Sequence, residues 1–405
     1  MRTWKVTAGV VAVAAAATLV VQAQGRGGQG GVQIGPGQPC PPGTTLVRPG
    51  NCQAPQTPAP SILDYRPEST LVVPEHPTPK AKYPAIDFHG HPGGRLTSAE
   101  GLTTMFAELD ALNVGLMLSA ENASGDRLKQ MVATAKASPY ATRVAFFTGV
   151  SFANVGPGWA ERAIAQLEAD VAAGAVGVGE IGKGFGLSAR NADGARLMMD
   201  DPILAPFWDA CARLNLPVFI HTADPPEFFE PIDMTNERWL ELSLFPSRAY
   251  PADRFPSFET LMAERDRLFA RHPKTTFVAA HLGSHGNDLA RLGRMFDAMP
   301  NVYTELGAVL YDLGRQPRVA RDFLQKYGTR VLFGKDSYQP SEYPYYWRVL
   351  ETRDDYFDYY RDYHAFWKMY GLDLPDEVLK DVYFRNALRI TPGIPRDLWP
   401  GEVIR

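Results

Sequence analysis

The chain has 405 residues, 45% of them apolar and 21% charged, with a formal net charge of −4. That length holds one large domain or two to three average ones, and the composition supplies a sizeable core, so the chain as a whole is not disordered. A mildly acidic chain without a long basic run lacks the electrostatic footprint of a nucleic-acid binder, which leaves a small-molecule substrate as the expected partner.

Residues 1–23 read as a secretory signal peptide: Arg2 and Lys5 are basic, 6–21 is a largely apolar run, and Val21-Gln22-Ala23 offers small residues for cleavage. The run is short for a membrane span and is followed by glycine, so the expectation is an exported protein, periplasmic or extracellular, with no stable span after cleavage. Residues 24–83 form a Pro/Gly-rich leader, read as a mobile or extended arm because it has too little periodic apolar surface to offset its ordering entropy. Cys40 and Cys52 lie in that leader and can pair in an oxidising compartment, whereas Cys211 reads as a buried helix residue. No Cys-x-x-Cys is present, so any metal site must use nitrogen and oxygen ligands.

From 84 to 392 a single pattern repeats. Short apolar runs at 85–88, 114–119, 144–148, 175–179, 217–220, 276–280, 301–304 and 330–333 read as strands. Amphipathic stretches at 98–112, 128–137, 159–173, 202–214, 258–271, 288–299, 319–327 and 376–388 read as helices. Eight strands alternating with eight helices predict a (β/α)₈ TIM-type barrel, with a doubly wound open sheet as the competing fold. Residues 337–375 form an aromatic insertion inside this domain, and 393–405 a C-terminal tail.

A barrel of this kind places its chemistry where strands end. Ile86-Asp87-Phe88-His89-Gly90-His91 closes the first strand with two histidines that point to one side of an extended backbone. His221 ends the fifth strand, His281 the sixth and Asp336 the eighth. Four of the eight histidines in the chain therefore fall at strand ends, which turns a weak His-x-His signal into a candidate metal site.

The set His89-x-His91, His221, His281 and Asp336, in that order, resembles the amidohydrolase superfamily. The surrounding Ala279-Ala280-His281-Leu282-Gly283 and Leu332-Phe333-Gly334-x-Asp336 are similar to its amidohydrolase-related branch of metal-dependent hydrolases and decarboxylases. The resemblance implies that His89, His91, His221 and Asp336 ligate a divalent metal, with His281 as a catalytic histidine beside it. The ion expected is one Zn²⁺, with Mn²⁺ or another first-row ion as the substitute. It would activate water, with Asp336 accepting the proton and His281 polarising the substrate carbonyl or carrying the proton onward. Lys335 departs from the threonine or serine expected before this aspartate. Glu180, ending the fourth strand, resembles the metal-bridging glutamate of TatD-type hydrolases; it is either a ligand for a second ion or a hydrogen-bonding neighbour of the first.

The reaction expected is hydrolysis of a small amide, ester or lactone, with decarboxylation of an aromatic or unsaturated acid as the alternative on the same site. Glu180 and Glu305 also admit a retaining glycosidase, and a non-catalytic secreted binder is a further alternative. Substrate choice belongs to the loop 222–256 and to the insertion, whose aromatic residues either form a lid or pack a subsidiary layer or a homodimer interface. Arg315, nearest the rim on the seventh helix, is the candidate for binding a substrate carboxylate. His285, His76, His272 and His364 show no ligand pattern.

Overall fold

The computed structural model describes residues 31–364 and 366–399. The expected signal peptide lies outside them, as does the end of the tail. The chain divides into two compact units between Ser69 and Thr70. In the first, Val32–Gln33, Thr45–Arg48 and Asn51–Gln53 form an antiparallel sheet in which Asn51–Gln53 is central. Cys40 and Cys52, whose pairing the sequence left open, form a disulfide that pins this sheet, and Cys52 is fully buried. The segment whose composition suggested only an extended arm thus contains a small cross-linked sheet. Its apolar content is low because the disulfide constrains the chain in place of a core.

In the second unit, parallel strands follow one another as Ala85–His91, Val114–Ser119, Val144–Thr148, Ala175–Ile181, Val218–Ile220, Phe277–Ala279 and Val302–Glu305. The eighth is split. Val331–Leu332 pairs with the seventh strand, and Asp336–Ser337 pairs with the first, setting Asp336 opposite Gly90. Phe88 N donates to Phe333 O at 3.0 Å between the two halves. One segment therefore joins both ends of the sheet, and the ring closes as a (β/α)₈ barrel. Phe88, Phe147 and Phe219 fill its centre, their rings 5.1 to 6.2 Å apart. Each fully buried phenylalanine contributes about 1.5–3 kcal/mol.

The outer helices form where capping and periodicity agree. Ser98 accepts from Gly101 N at the start of Ala99–Ala111, whose Leu102, Met105, Phe106 and Leu109 share the buried face. Trp159–Ala173 and Phe258–Arg271 occupy the predicted spans. The closing helix differs from the continuous 376–388 expected. Asp376–Lys380 and Asn386–Ile390 flank a π-helical turn, Asp381–Arg385. Within that turn Val382 O accepts from Phe333 N at 2.8 Å, diverting a carbonyl from the helix to the eighth strand.

The aromatic insertion packs as a subsidiary layer. Tyr343–Glu351 is helical, with Tyr343, Tyr346 and Trp347 fully buried, and Phe357–Asp358 pairs with Lys368–Met369. Cys211 is buried on its helix. Among the described residues no helix is long and apolar enough to cross a membrane.

Candidate metal centre

The first strand delivers His89 and His91 with their Nε2 atoms 3.1 Å apart. Oε2 of Glu180, from the fourth strand, lies 3.5 Å from His89 Nε2 and 3.3 Å from His91 Nε2. Oδ1 of Asp336 lies 3.7 and 3.8 Å from the same two nitrogens. Asp336 reaches this point because its half-strand pairs beside Gly90.

The other oxygen of Glu180 faces the fifth and sixth strands. Oε1 lies 2.8 Å from His221 Nδ1 and 3.8 Å from His281 Nε2. The structure therefore gathers His89, His91, His221, His281 and Asp336 with the sixth candidate, Glu180, whose two oxygens face both groups of histidines. His221 stands on the far side of the Glu180 carboxylate, with its Nε2 3.8 Å from Asp224.

His281 sits in a left-handed turn, with φ of 58° at His281, 53° at Leu282 and 57° at Ser284. Each such non-glycine residue costs of order 1–3 kcal/mol, so the turn persists only because its surroundings fix it. His281 N donates to Glu305 Oε1 at 2.7 Å, and Ser284 Oγ donates to Thr222 O at 2.6 Å. His281 Nδ1 lies 2.7 Å from Gly307 O. A carbonyl only accepts, so Nδ1 carries the hydrogen and Nε2 of the neutral ring presents a lone pair.

Glu305 and Asp87 are the two residues whose roles the sequence did not show. Glu305 is fully buried, lies 3.2 Å from His89 Nδ1, and accepts from the backbone N of both His281 and Gly307. It is fully buried behind the histidines with its oxygens already engaged, so it is not presented as the second carboxylate of a retaining glycosidase. Asp87, also fully buried, accepts from His89 N and Lys335 N, each at 3.1 Å, and from Tyr343 Oη at 2.5 Å. It ties the first strand to the eighth and to the insertion. The Lys335 ammonium is buried and donates to Glu342 at 2.5 Å and to Ser337 O at 3.3 Å, holding the loop after Asp336.

Burial opposes charge throughout the cluster, but mutual attraction outweighs it at most positions. His89 is raised well above the ordinary histidine value, because Glu180, Glu305 and Asp336 overcome its desolvation. Glu180 is held well below the carboxylate range, with His89 and His221 overcoming burial, and Glu305 and Asp336 are lowered in the same way. His281 moves the other way, lowered by burial and by the neighbouring charge of His221. Three carboxylates held ionised around imidazoles make a strongly cation-attracting centre.

The donor set fits a divalent ion. Donors about 2.0–2.2 Å from one tetrahedral centre stand about 3.3–3.6 Å apart, close to the 3.1–3.5 Å separations of His89, His91 and Glu180, with Asp336 Oδ1 slightly farther from the two histidines at 3.7 and 3.8 Å. Glu180 Oε1 is buried and makes no well-directed hydrogen bond; its nearest donor is His221 Nδ1 at 2.8 Å, while Oε2 is the oxygen that faces His89 and His91. Overlapping groups capable of holding an ion are His89, His91 and Glu180; His89, His281 and Glu305; and Glu180, His221 and His281.

A cavity of about 260 Å³ opens beside the cluster, lined by His221, His281 and Asp336 together with residues of loop 222–256 and the insertion. Arg315 lines it as expected for a residue near the rim, but its guanidinium is held by Glu237 at 3.1 Å and Asp312 at 3.2 Å and stacks on Trp367. His285 contacts Arg265 at 3.1 Å, His76 pairs with Asp354 and His272 with Asp209, so none of these joins the cluster. His364 lines the cavity, which its sequence context gave no means of predicting.

The amidohydrolase family model matches residues 86–391, and no curated protein matches the chain. Among solved structures, a TIM-barrel protein of Bordetella bronchiseptica is 19% identical, with 76% of this chain and 97% of that one covered and a TM-score of 0.47. The IDCase of Metarhizium anisopliae is 17% identical over 71% and 78% of the two chains, with a TM-score of 0.41. A zinc-bound amidohydrolase of Burkholderia multivorans is 15% identical over 76% and 98%, with a TM-score of 0.38. With the family match spanning the whole barrel and every strand end that carries the cluster, the chain belongs to the amidohydrolase family.

Proposed function

We propose that this protein is a metal-dependent hydrolase that attacks a compact amide, ester or lactone with water, using one divalent ion, Zn²⁺ in the first instance. The observation that carries the reading is the convergence of Glu180 Oε2 and Asp336 Oδ1, at 3.3–3.8 Å, on the His89 and His91 Nε2 pair, beside a cavity of about 260 Å³. His89, His91, Glu180 and Asp336 would hold a divalent ion, which would supply Lewis acidity and a water of lowered pKa. Asp336, partly open to the cavity, accepts the proton that water loses. His281, with its hydrogen committed to Gly307, offers Nε2 as the acceptor that carries the proton toward the leaving group. That tautomer favours proton carriage over polarisation of a carbonyl, which would require a donor. Glu305 and Asp87 hold the His89 ring and backbone in place.

Metal analysis of the purified protein, paired with turnover of an ester, lactone and amide panel by the wild type and by His281→Ala, tests the reading. One equivalent of zinc or a similar ion and hydrolysis lost in the variant are expected. A metal-free, inactive protein would refute it, two equivalents would assign the His221 side of Glu180 to a second ion, and carbon dioxide released from aromatic acids would move the reaction to decarboxylation.

A further inference from the structure

Most of the cations lining the cavity are already engaged. Lys183 holds Asp224 at 2.5 Å, Arg248 and Arg238 hold Glu241 at 2.5 and 2.7 Å, and Arg315 holds Glu237 and Asp312. Arg361 differs. It lines the same cavity as Asp336, and its guanidinium makes no hydrogen bond with the described residues. Its nearest carboxylate oxygen, Glu342 Oε2, lies 3.8 Å away and already receives the Lys335 ammonium at 2.5 Å.

Glu342 is therefore shared, held closely by Lys335 and only at 3.8 Å by Arg361, which leaves the Arg361 fork without a hydrogen-bonded carboxylate beside the cavity. The guanidinium lies over the Tyr360 ring at 5.3 Å, and its side chain is 23% exposed. A planar, permanently charged fork held in a partly desolvated wall suits a planar oxyanion, and a carboxylate receives it through two parallel hydrogen bonds. We infer that Arg361 is a specificity-determining residue that receives a carboxylate on the substrate, so that the preferred substrates are compact anionic acids carrying the scissile bond elsewhere. This inference rests on the hydrolase reading for the bond broken, but not for the group bound.

The deciding experiment is calorimetric binding of benzoate and of its neutral analogue benzamide to the purified metal-loaded protein, to Arg361→Gln and to Arg361→Lys, with melting curves confirming that each variant is folded. Wild type is expected to bind benzoate at least about tenfold more tightly than benzamide, Arg361→Gln to lose that preference, and Arg361→Lys to recover part of it. Equal benzoate affinity in wild type and Arg361→Gln would overturn the inference, because another group, a metal ion included, would then be holding the carboxylate. Kinetics on 4-acetoxybenzoate and phenyl acetate add a second readout. Arg361→Gln should raise KM for the anionic ester about tenfold or more and leave the neutral ester unchanged, and equal losses on both esters would count against a carboxylate site. Inertness of both esters together with the lactone and amide panel in the wild type would overturn the hydrolase reading alone, with benzoate binding still deciding the role of Arg361.

Discussion

Glu305 sets a carboxylate oxygen 3.2 Å from Nδ1 of His89, on the side of the ring away from His91. The same oxygen accepts from His281 N at 2.7 Å, so one buried side chain orients two histidines from different strands. A carboxylate behind a ligating imidazole fixes the ring and raises its basicity. Glu305→Gln keeps the size of the group and removes its charge. Metal affinity should fall about 10- to 100-fold, measured by competition with a chelator. Unchanged affinity would show that Glu305 is only a structural acceptor.

Two glycines make room for this arrangement. A β-carbon on Gly334 would stand 2.6 Å from Glu305 Oε2 and 2.7 Å from His89 Cβ, and one on Gly307 would stand 2.6 Å from Glu305 Oε2. Both neighbours are fixed in the barrel core and cannot swing aside. Gly334→Ala should therefore cost about 1–3 kcal/mol of stability by overpacking and weaken metal binding at the same time. Thermal unfolding with and without added zinc reads both effects.

Asp336 and Glu180 should separate under substitution. Asp336→Asn removes the proton acceptor but keeps an oxygen near His89 and His91, so kcat should fall about 10²- to 10⁴-fold with most of the metal retained. Glu180→Gln removes the charge at the centre of both halves of the cluster, and metal content should fall with activity. Metal-to-protein ratios measured beside turnover distinguish the two, and equal metal loss in both variants would reduce Asp336 to a ligand.

His364 supplies a pH dependence away from the metal ligands. Burial, aided by Arg238 and opposed by Glu241, pushes its pKa down to about 4, and its Nε2 lies 3.3 Å from both groups. Between pH 6.5 and 4 the unfolded chain binds a proton at this residue that the folded chain refuses. Stability contributed by the neutral ring is thus complete above pH 6.5 and declines by about 3 kcal/mol as pH falls to 4. Urea unfolding of wild type and His364→Gln at pH 7 and pH 4.5 should show the steeper loss in the wild type. Parallel losses would mean that His364 takes up its proton in the folded protein.

The sequence alone determined the barrel and which residue types end its strands. Strand and helix periodicity is a local property, and His89, His91, His221, His281 and Asp336 each follow an apolar run that ends at the rim. Glu305 was visible as a strand-ending carboxylate, yet whether it faced the cleft or the back of His89 depended on the path from Glu305 to Gly307, which no spacing encodes. The left-handed turn at His281 was likewise hidden, because alanine, histidine and leucine do not announce a positive φ, and its support comes from Glu305 and Thr222 on other strands. The contrast between Arg315 and Arg361 has the same origin. Arg315 stood nearest the rim in the sequence, but the fold brings Glu237 and Asp312 against it, while Lys335 takes the carboxylate that would otherwise have satisfied Arg361. Residue types and periodicity set which groups reach the rim; which of them remain unpaired there is decided by partners distant in sequence, and only closure of the barrel and packing of the insertion bring those partners together.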